Sequence, residues 1–265
     1  MIEIRSCRSM EEFAACVELQ FEIWGYDESE AIPRKTFLLA TKIGGQVIGA
    51  FDRAIRGEAP RLVGFAMSLP GIKSSGGCAA PYLHSHMLAV RDGYRNQGIG
   101  AQLKLEQRRE ALARGIRHME WTFDPLEIKN AFLNIHRLGA FVRCYRENFY
   151  GVSSSRLQGG LPTDRLVAEW VLDSARVEAH LAGRTAAEAE IAERIKVPAA
   201  VGQWKKDAAE RARALALQRQ NRERFADAFA RGLAVIGFTR DAEGNGIFEL
   251  GPISETELAP SPEAS

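Results

Sequence analysis

Residues 82–101 read Tyr-Leu-His-Ser-His-Met-Leu-Ala-Val, then Arg-Asp-Gly-Tyr, then Arg-Asn-Gln-Gly-Ile-Gly-Ala. The first stretch is β-rich, the next is glycine-punctuated, and the helix-favouring run 101–114 follows, so the chain here reads strand, turn, helix. Gly98 and Gly100 let backbone N–H groups approach an anion without interference from a Cβ. A helix opening at Ala101 adds unpaired N–H groups and the positive end of its dipole. Arg95, three residues before Gly98, brings a charge. Such a turn cradles a pyrophosphate. A Rossmann fingerprint requires a third glycine where this chain has Leu103, and a P-loop requires a Gly-Lys-Ser/Thr that is absent, so both are demoted.

Around this segment the pattern is mixed. Residues 2–5 alternate as a short strand, and Ser9 with Glu12 forms a capping box ahead of a helix. That helix is expected to bury Phe13, Val17, Phe21 and Trp24 and to end near Gly25. The runs 37–43, 46–55 and 61–69 read as an antiparallel meander, broken by 44–45 and 56–60. A loop at 74–77 precedes the strand 82–90. The next helix carries Leu105, Leu112 and Ile116 on one side. Then come a strand at 117–123, a helix at 130–138 stopped by Gly139, and strands at 141–149 and 165–172. After Asp173 the texture changes. Residues 178–197 are Ala/Glu-rich, and 205–231 is a long helix with Leu215, Phe225 and Phe229 as its packing stripe. Two strands, 233–239 and 246–250, flank a turn at 241–245, and 257–265 is expected to be disordered. The domains expected are 1–174 and an extension, 175–265.

Charge excludes some classes of partner. With 35 basic and 34 acidic side chains the net charge is +1, so neither an electrostatic nucleic-acid binder nor a polybasic membrane-surface protein is expected. An anionic ligand must be held by a local site. Cys7, Cys16, Cys78 and Cys144 are scattered without a C-x-x-C pair, as free thiols in a reducing cytosol would be. No apolar run nears the roughly 20 residues of a membrane span, and a cytoplasmic location is expected.

Leu88-Ala89-Val90, followed by Arg95-x-x-Gly98-x-Gly100-Ala101 and set in this element order over 1–174, resembles the GNAT superfamily of N-acetyltransferases. Residues 121–126, 148–151, 161–166 and Glu169-Trp170 look like a bacterial branch of it. The resemblance implies an α/β (α+β) fold: a mixed, mostly antiparallel sheet flanked by helices, here with a C-terminal helix and hairpin added. It implies acetyl-CoA, or another acyl-CoA, as co-substrate, and no metal. Leu88, Ala89 and Val90 would meet the pantetheine arm, as would Asn130. Arg95, Asn96, Gln97, Gly98, Ile99, Gly100 and Ala101 would hold the pyrophosphate.

His84 and His86, two apart on a strand, are expected on one face. This His-x-His resembles the proton-relaying pair of arylalkylamine N-acetyltransferases, and imidazole, with an ordinary pKa near 6.5, suits deprotonation of an amine. Two packed strand histidines are the alternative reading, and no third ligand for a metal is nominated. The tyrosine that many members use as general acid is replaced by Ile135, with Tyr145 and His136 as neighbouring substitutes. Asp164 and Arg165 are candidates to recognise the acceptor, or form an ion pair with each other. Trp24 and Tyr26 are candidates for an aromatic wall. The acceptor expected is an amine of a small molecule or peptide, with a homo-oligomer possible, and a non-catalytic acyl-CoA sensor is the alternative function.

Overall fold

The computed structural model describes residues 1–53, 60–75, 78–184 and 190–258. It divides into two compact units, Met1–Glu120 with Ser154–Arg156 and Trp121–Ser153 with Leu157–Ser265. Parts of the expected loops at 56–60 and 74–77, of the run 178–197 and of the tail 257–265 lie outside the described residues.

In the first unit, β1 (Ile2–Ser6) is followed by α1 (Met10–Trp24) and α2 (Arg34–Lys42). Three strands come next: β2 (Gln46–Asp52), β3 (Arg61–Ser75) and β4 (Cys78–Val90). A 3₁₀ turn at Asp92–Tyr94, α3 (Ile99–Ala113) and the start of β5 (His118–Phe123) complete the unit. Strands β1 to β4 pair antiparallel in chain order, and β5 lies parallel to β4. Pleat alternation splits β2 between two cores. Val47 and Phe51 join Phe13, Leu19, Phe37, Phe65 and Met87 under α1 and α2, while Ile48 and Ala50 join Val63, Ile99 and Leu103 under α3.

The capping box at Ser9 is present: its hydroxyl accepts from the Glu12 amide, and the Glu12 carboxylate accepts from the Ser9 amide. Gly25, at φ 64°, ends α1 in a left-handed cap. The buried stripe differs from the one expected. It is Phe13, Cys16, Leu19, Gln20 and Ile23, with Phe21 exposed and Val17 and Trp24 only partly covered. The burying face is turned toward Gln20, which hydropathy does not mark. Residues 37–43, expected as a strand, lie in α2: Phe37 and Ala40, one helical turn apart, are its buried positions, and Phe37 meets Phe65 edge-on at 5.7 Å. A short apolar run fits either period, and burial of one side decided it.

Helix α3 begins at Ile99, before the expected start, and buries Ile99, Leu103, Lys104, Gln107 and Ala111 rather than Leu105, Leu112 and Ile116. Leu105 is exposed. The inward row contains Lys104 and Gln107 because the sheet offers them polar partners. Lys104 Nζ donates to Ser85 Oγ at 2.8 Å, Ser85 to Gln107 Oε1 at 2.9 Å, and Gln46 Nε2 to the Gln107 carbonyl at 2.9 Å.

The second unit holds the rest of β5, then α4 (Ile128–Ala131), which runs into a π-helical turn, Phe132–Arg137, and stops at Gly139 with φ 72°. Strands β6 (Phe141–Arg146) and β7 (Arg165–Val171), α5 (Ala175–Leu181), β8 (Glu193–Val197) and α6 (Val201–Lys206) follow. The chain continues through α7 (Arg211–Ala230), β9 (Ala234–Arg240), β10 (Gly246–Gly251) and α8 (Glu255–Leu258). Within this unit the strand order is β7-β6-β9-β10-β8. The hairpin β9–β10 turns through 241–245, where Asp241 Oδ1 accepts from the Asn245 amide at 2.9 Å. Strand β8 was not foreseen. Helix α7 starts later than expected and buries Ala214, Gln218, Asn221, Phe225 and Ala228, not Leu215 and Phe229. Among the described residues no helix is long and apolar enough to cross a membrane.

Candidate active site

Strand β4 carries an irregularity where the sequence places its histidines. Met87 pairs with Met67 and Ser85 with Ser68, so His86 is an extra residue against β3, a β-bulge. The bulge switches the alternation. Ser85 points to α3, whereas Met87 and Ala89 join the core under α1 and α2. Strand β4 pairs with β5 at Leu83↔Met119 and His84↔Glu120, and the residues from Ser85 onward, His86 apart, keep their ladder with β3.

His84 and His86 do come together, their ring centres 6.1 Å apart. His86 is exposed to solvent on its open side, yet desolvation by the surrounding protein, with the charge of His84 second, lowers its pKa. His84 Nδ1 lies 3.6 Å from Glu120 Oε1, and Glu120 Oε2 pairs with the Lys73 ammonium. Burial raises the Glu120 pKa, but hydrogen bonding and charge from His84 and Lys73 outweigh it, leaving the carboxyl at about 2. Tyr82 is raised by desolvation and by Glu120. Lys73 Nζ also lies 3.3 Å from His118 Nε2. Glu120 and Lys73 were missed in the sequence. The available signal was Glu120 standing between Met119 and Trp121 in a strand of alternating burial, on the same face as His118.

Past Val90, the Tyr94 hydroxyl donates to Asp52 Oδ2 at 2.8 Å and the Gln97 side chain, through Nε2, to the Gly93 carbonyl at 3.1 Å, which hold the turn in place. Asn96 (φ 62°) and Gly98 (φ 78°) take left-handed backbone, and Gly98 is the N-cap of α3. The amides of Ile99, Gly100 and Ala101 are therefore first-turn donors without an intrahelical partner, and no acidic residue stands in that turn. A Cβ on Gly98 would meet nothing nearer than Gln102 Nε2 at 3.9 Å, so the approach is open. The arrangement suits a phosphate pair. Arg95 is tied to Asp92 at 2.7 Å and donates to the Val90 carbonyl at 3.1 Å. Leu88 and Val90 are half-buried beside the core under α3, and Ala89 is buried.

The remaining candidates sit as follows. Trp24 and Tyr26 stack at 5.5 Å and pack against the core under α1. In the second unit Asn130 is exposed on α4. Tyr145 donates to Asp164 Oδ2 at 2.6 Å, and burial followed by Asp164 pushes its pKa up. Asp164 is fully buried and also accepts from the Asn148 amide (3.0 Å) and from Arg222 (3.0 Å). Arg165 donates to the Asp164 carbonyl and to Gln158 Oε1, and lies over Tyr150. Asp164 and Arg165 are thus not paired side chain to side chain. Among the described residues no group of three or more His, Cys, Asp or Glu side chains is placed to hold a metal ion.

Residues 6–134 match the model of the acetyltransferase (GNAT) family. Among solved structures, Arabidopsis thaliana NAA60, in complex with a bisubstrate analogue, is similar at 15% identity and a TM-score of 0.51, over 64% of this chain and 98% of that one. The putative acetyltransferase yncA from Salmonella typhimurium, with acetyl-CoA, is 17% identical over 65% of this chain and 95% of that one, with a TM-score of 0.49. No curated protein matches the chain. The glycine turn and the strand before it lie within the stretch that matches the acetyltransferase (GNAT) family model.

Proposed function

We propose that the protein transfers an acetyl or other small acyl group from acetyl-CoA to the amine of a small molecule or peptide, by direct attack in a ternary complex. The observation that carries this reading is the joining, along one strand and its exit turn, of an imidazole pair to a set of free backbone amides. Bound acetyl-CoA supplies an acyl group activated as a thioester. The amides from Gln97 to Ala101 and the dipole of α3 hold its pyrophosphate, and the backbone of Leu88 to Val90 orients its arm. A backbone N–H near Leu88 donates to the developing oxyanion.

An amine is protonated at neutral pH and is no nucleophile until a base takes its proton. His86, its pKa lowered by desolvation, is neutral at that pH and ready to accept, with His84 as partner or alternate. The Tyr145 hydroxyl is committed to its hydrogen bond with Asp164 and its pKa is raised, so the leaving thiolate is protonated from elsewhere in this reading. A thiolate leaves readily without an acid.

Titration with acetyl-CoA, followed by turnover on a panel of amines with a free-thiol readout, tests the proposal. Gly98→Val is expected to weaken acetyl-CoA binding about tenfold or more, because a β-branched residue resists positive φ. His86→Ala and His84→Ala are expected to lower kcat by about 10²-fold while leaving cofactor affinity intact. No binding at millimolar acetyl-CoA overturns the proposal. Binding without turnover on any amine points instead to the sensor function.

A further inference from the structure

We propose that Glu120 is a positioning residue for His84, with Lys73 the counter-charge that sets how strongly it acts. The inference rests on the reading of His84 and His86 as the proton-accepting pair. The parallel register sets Glu120 abreast of His84, and Oε1 stands 3.6 Å from Nδ1. The charge of a carboxylate at that distance favours the neutral ring's proton on Nδ1, which leaves the lone pair on Nε2, the nitrogen farther from Glu120. When Nε2 accepts the amine's proton, the imidazolium formed already faces an anion.

The second oxygen of Glu120 is taken by Lys73, whose ammonium also lies 3.3 Å from His118 Nε2 and 5.3 Å from the centre of the Tyr82 ring. Within this unit the titratable groups around His84 are therefore Tyr82 and His86 on β4, Lys73 on β3, and His118 and Glu120 on β5. From α1, Glu22 pairs with Arg91 at 3.2 Å, beyond the far end of β4. One carboxylate is shared between an imidazole and an ammonium, so Glu120 and Lys73 act on His84 in opposite senses.

That opposition gives the test, the dependence of kcat/KM on pH for the full chain and its variants. Glu120→Gln keeps the shape and removes the charge. It is expected to move the acid limb to lower pH by about 0.5–1 unit and to lower kcat about tenfold. Lys73→Met frees the carboxylate for His84 and is expected to move the same limb to higher pH by a similar amount. The Lys73 side chain is 43% exposed, so this variant folds and keeps the test open even if Glu120→Gln does not. Glu120→Asp should restore most of the rate. In a His84→Ala background Glu120→Gln should cost nothing further, and acetyl-CoA affinity should stay unchanged throughout.

Limbs that stay fixed, or move the same way in both variants, overturn the proposal while leaving the base assignment standing. So do rate losses from His84→Ala and Glu120→Gln that multiply. A His84→Ala enzyme with unaltered rate and pH profile removes the base assignment and the positioning role with it.

Discussion

Lys104 is fully enclosed between α3 and the sheet, where burial drives its pKa well below that of an ordinary lysine. Between its lowered value and the ordinary one, the unfolded chain binds a proton that the folded chain does not, so this residue makes stability rise with pH over that window. Lys104→Met is accordingly expected to melt about 2–4 °C higher near neutral pH, with a flatter pH dependence, as calorimetry over a pH series checks. A fall at every pH would mean that the bond to Ser85 outweighs the burial. At this scale the sequence is uneven in what it discloses. His84 and His86 could be named because two histidines sit two apart just before Leu88-Ala89-Val90. Glu120 could not, because its role arises from a strand pairing that joins residues 84 and 120, and no local pattern encodes a partner so far along the chain. The bulge at His86 was hidden for the same reason, since it exists only against β3.

Elements whose ends are written in local chemistry were read well. Ser9 and Glu12 close reciprocal hydrogen bonds within one turn, and Gly25 and Gly139 adopt the left-handed backbone that stops a helix. Ser9→Ala is expected to cost about 1 kcal/mol, seen as a lower denaturation midpoint with an unchanged m-value. No change in midpoint would mean that packing of Phe13 and Leu19 alone holds the end of α1. Faces were read less well than ends. In α1, α3 and α7 the inward row includes Gln20, Lys104, Gln107, Gln218 and Asn221. Each polar residue is admitted by a partner on another element: Gln20 exchanges hydrogen bonds with the backbone of Ile32, and Gln218 donates to the Pro162 carbonyl. Hydropathy assigns such residues to solvent. The run 37–43 failed in the opposite way, being apolar enough for a strand and long enough for a helix.

For the whole molecule, the C-terminal strands are built into the sheet of the second unit. Strand β9 pairs with β6 at Val142↔Val235, Phe225 of α7 stacks on Tyr145 at 5.8 Å, and the buried Arg176 guanidinium donates to the carbonyls of Gly139 and Ile236. Removing residues 175–265 would strip the edge of β6 and uncover Tyr145, on which Phe225 of α7 stacks. The truncated chain is expected to aggregate on expression, measured as the soluble fraction and by size-exclusion chromatography. A soluble remnant that still binds acetyl-CoA would show that these strands are dispensable.

The sequence by itself determined the features that short-range geometry controls. These are the strand, glycine turn and helix of 82–113, the capped ends of α1, and the hairpin turning through 241–245, each made by residues within a few positions of one another. Only the tertiary structure decided which polar side chains turn inward, where β4 bulges, and that Glu120 stands beside His84 with Lys73 at its back. Those outcomes are set by pairing free energies between distant segments, in which a buried hydrogen bond or an opposed charge outweighs local hydropathy.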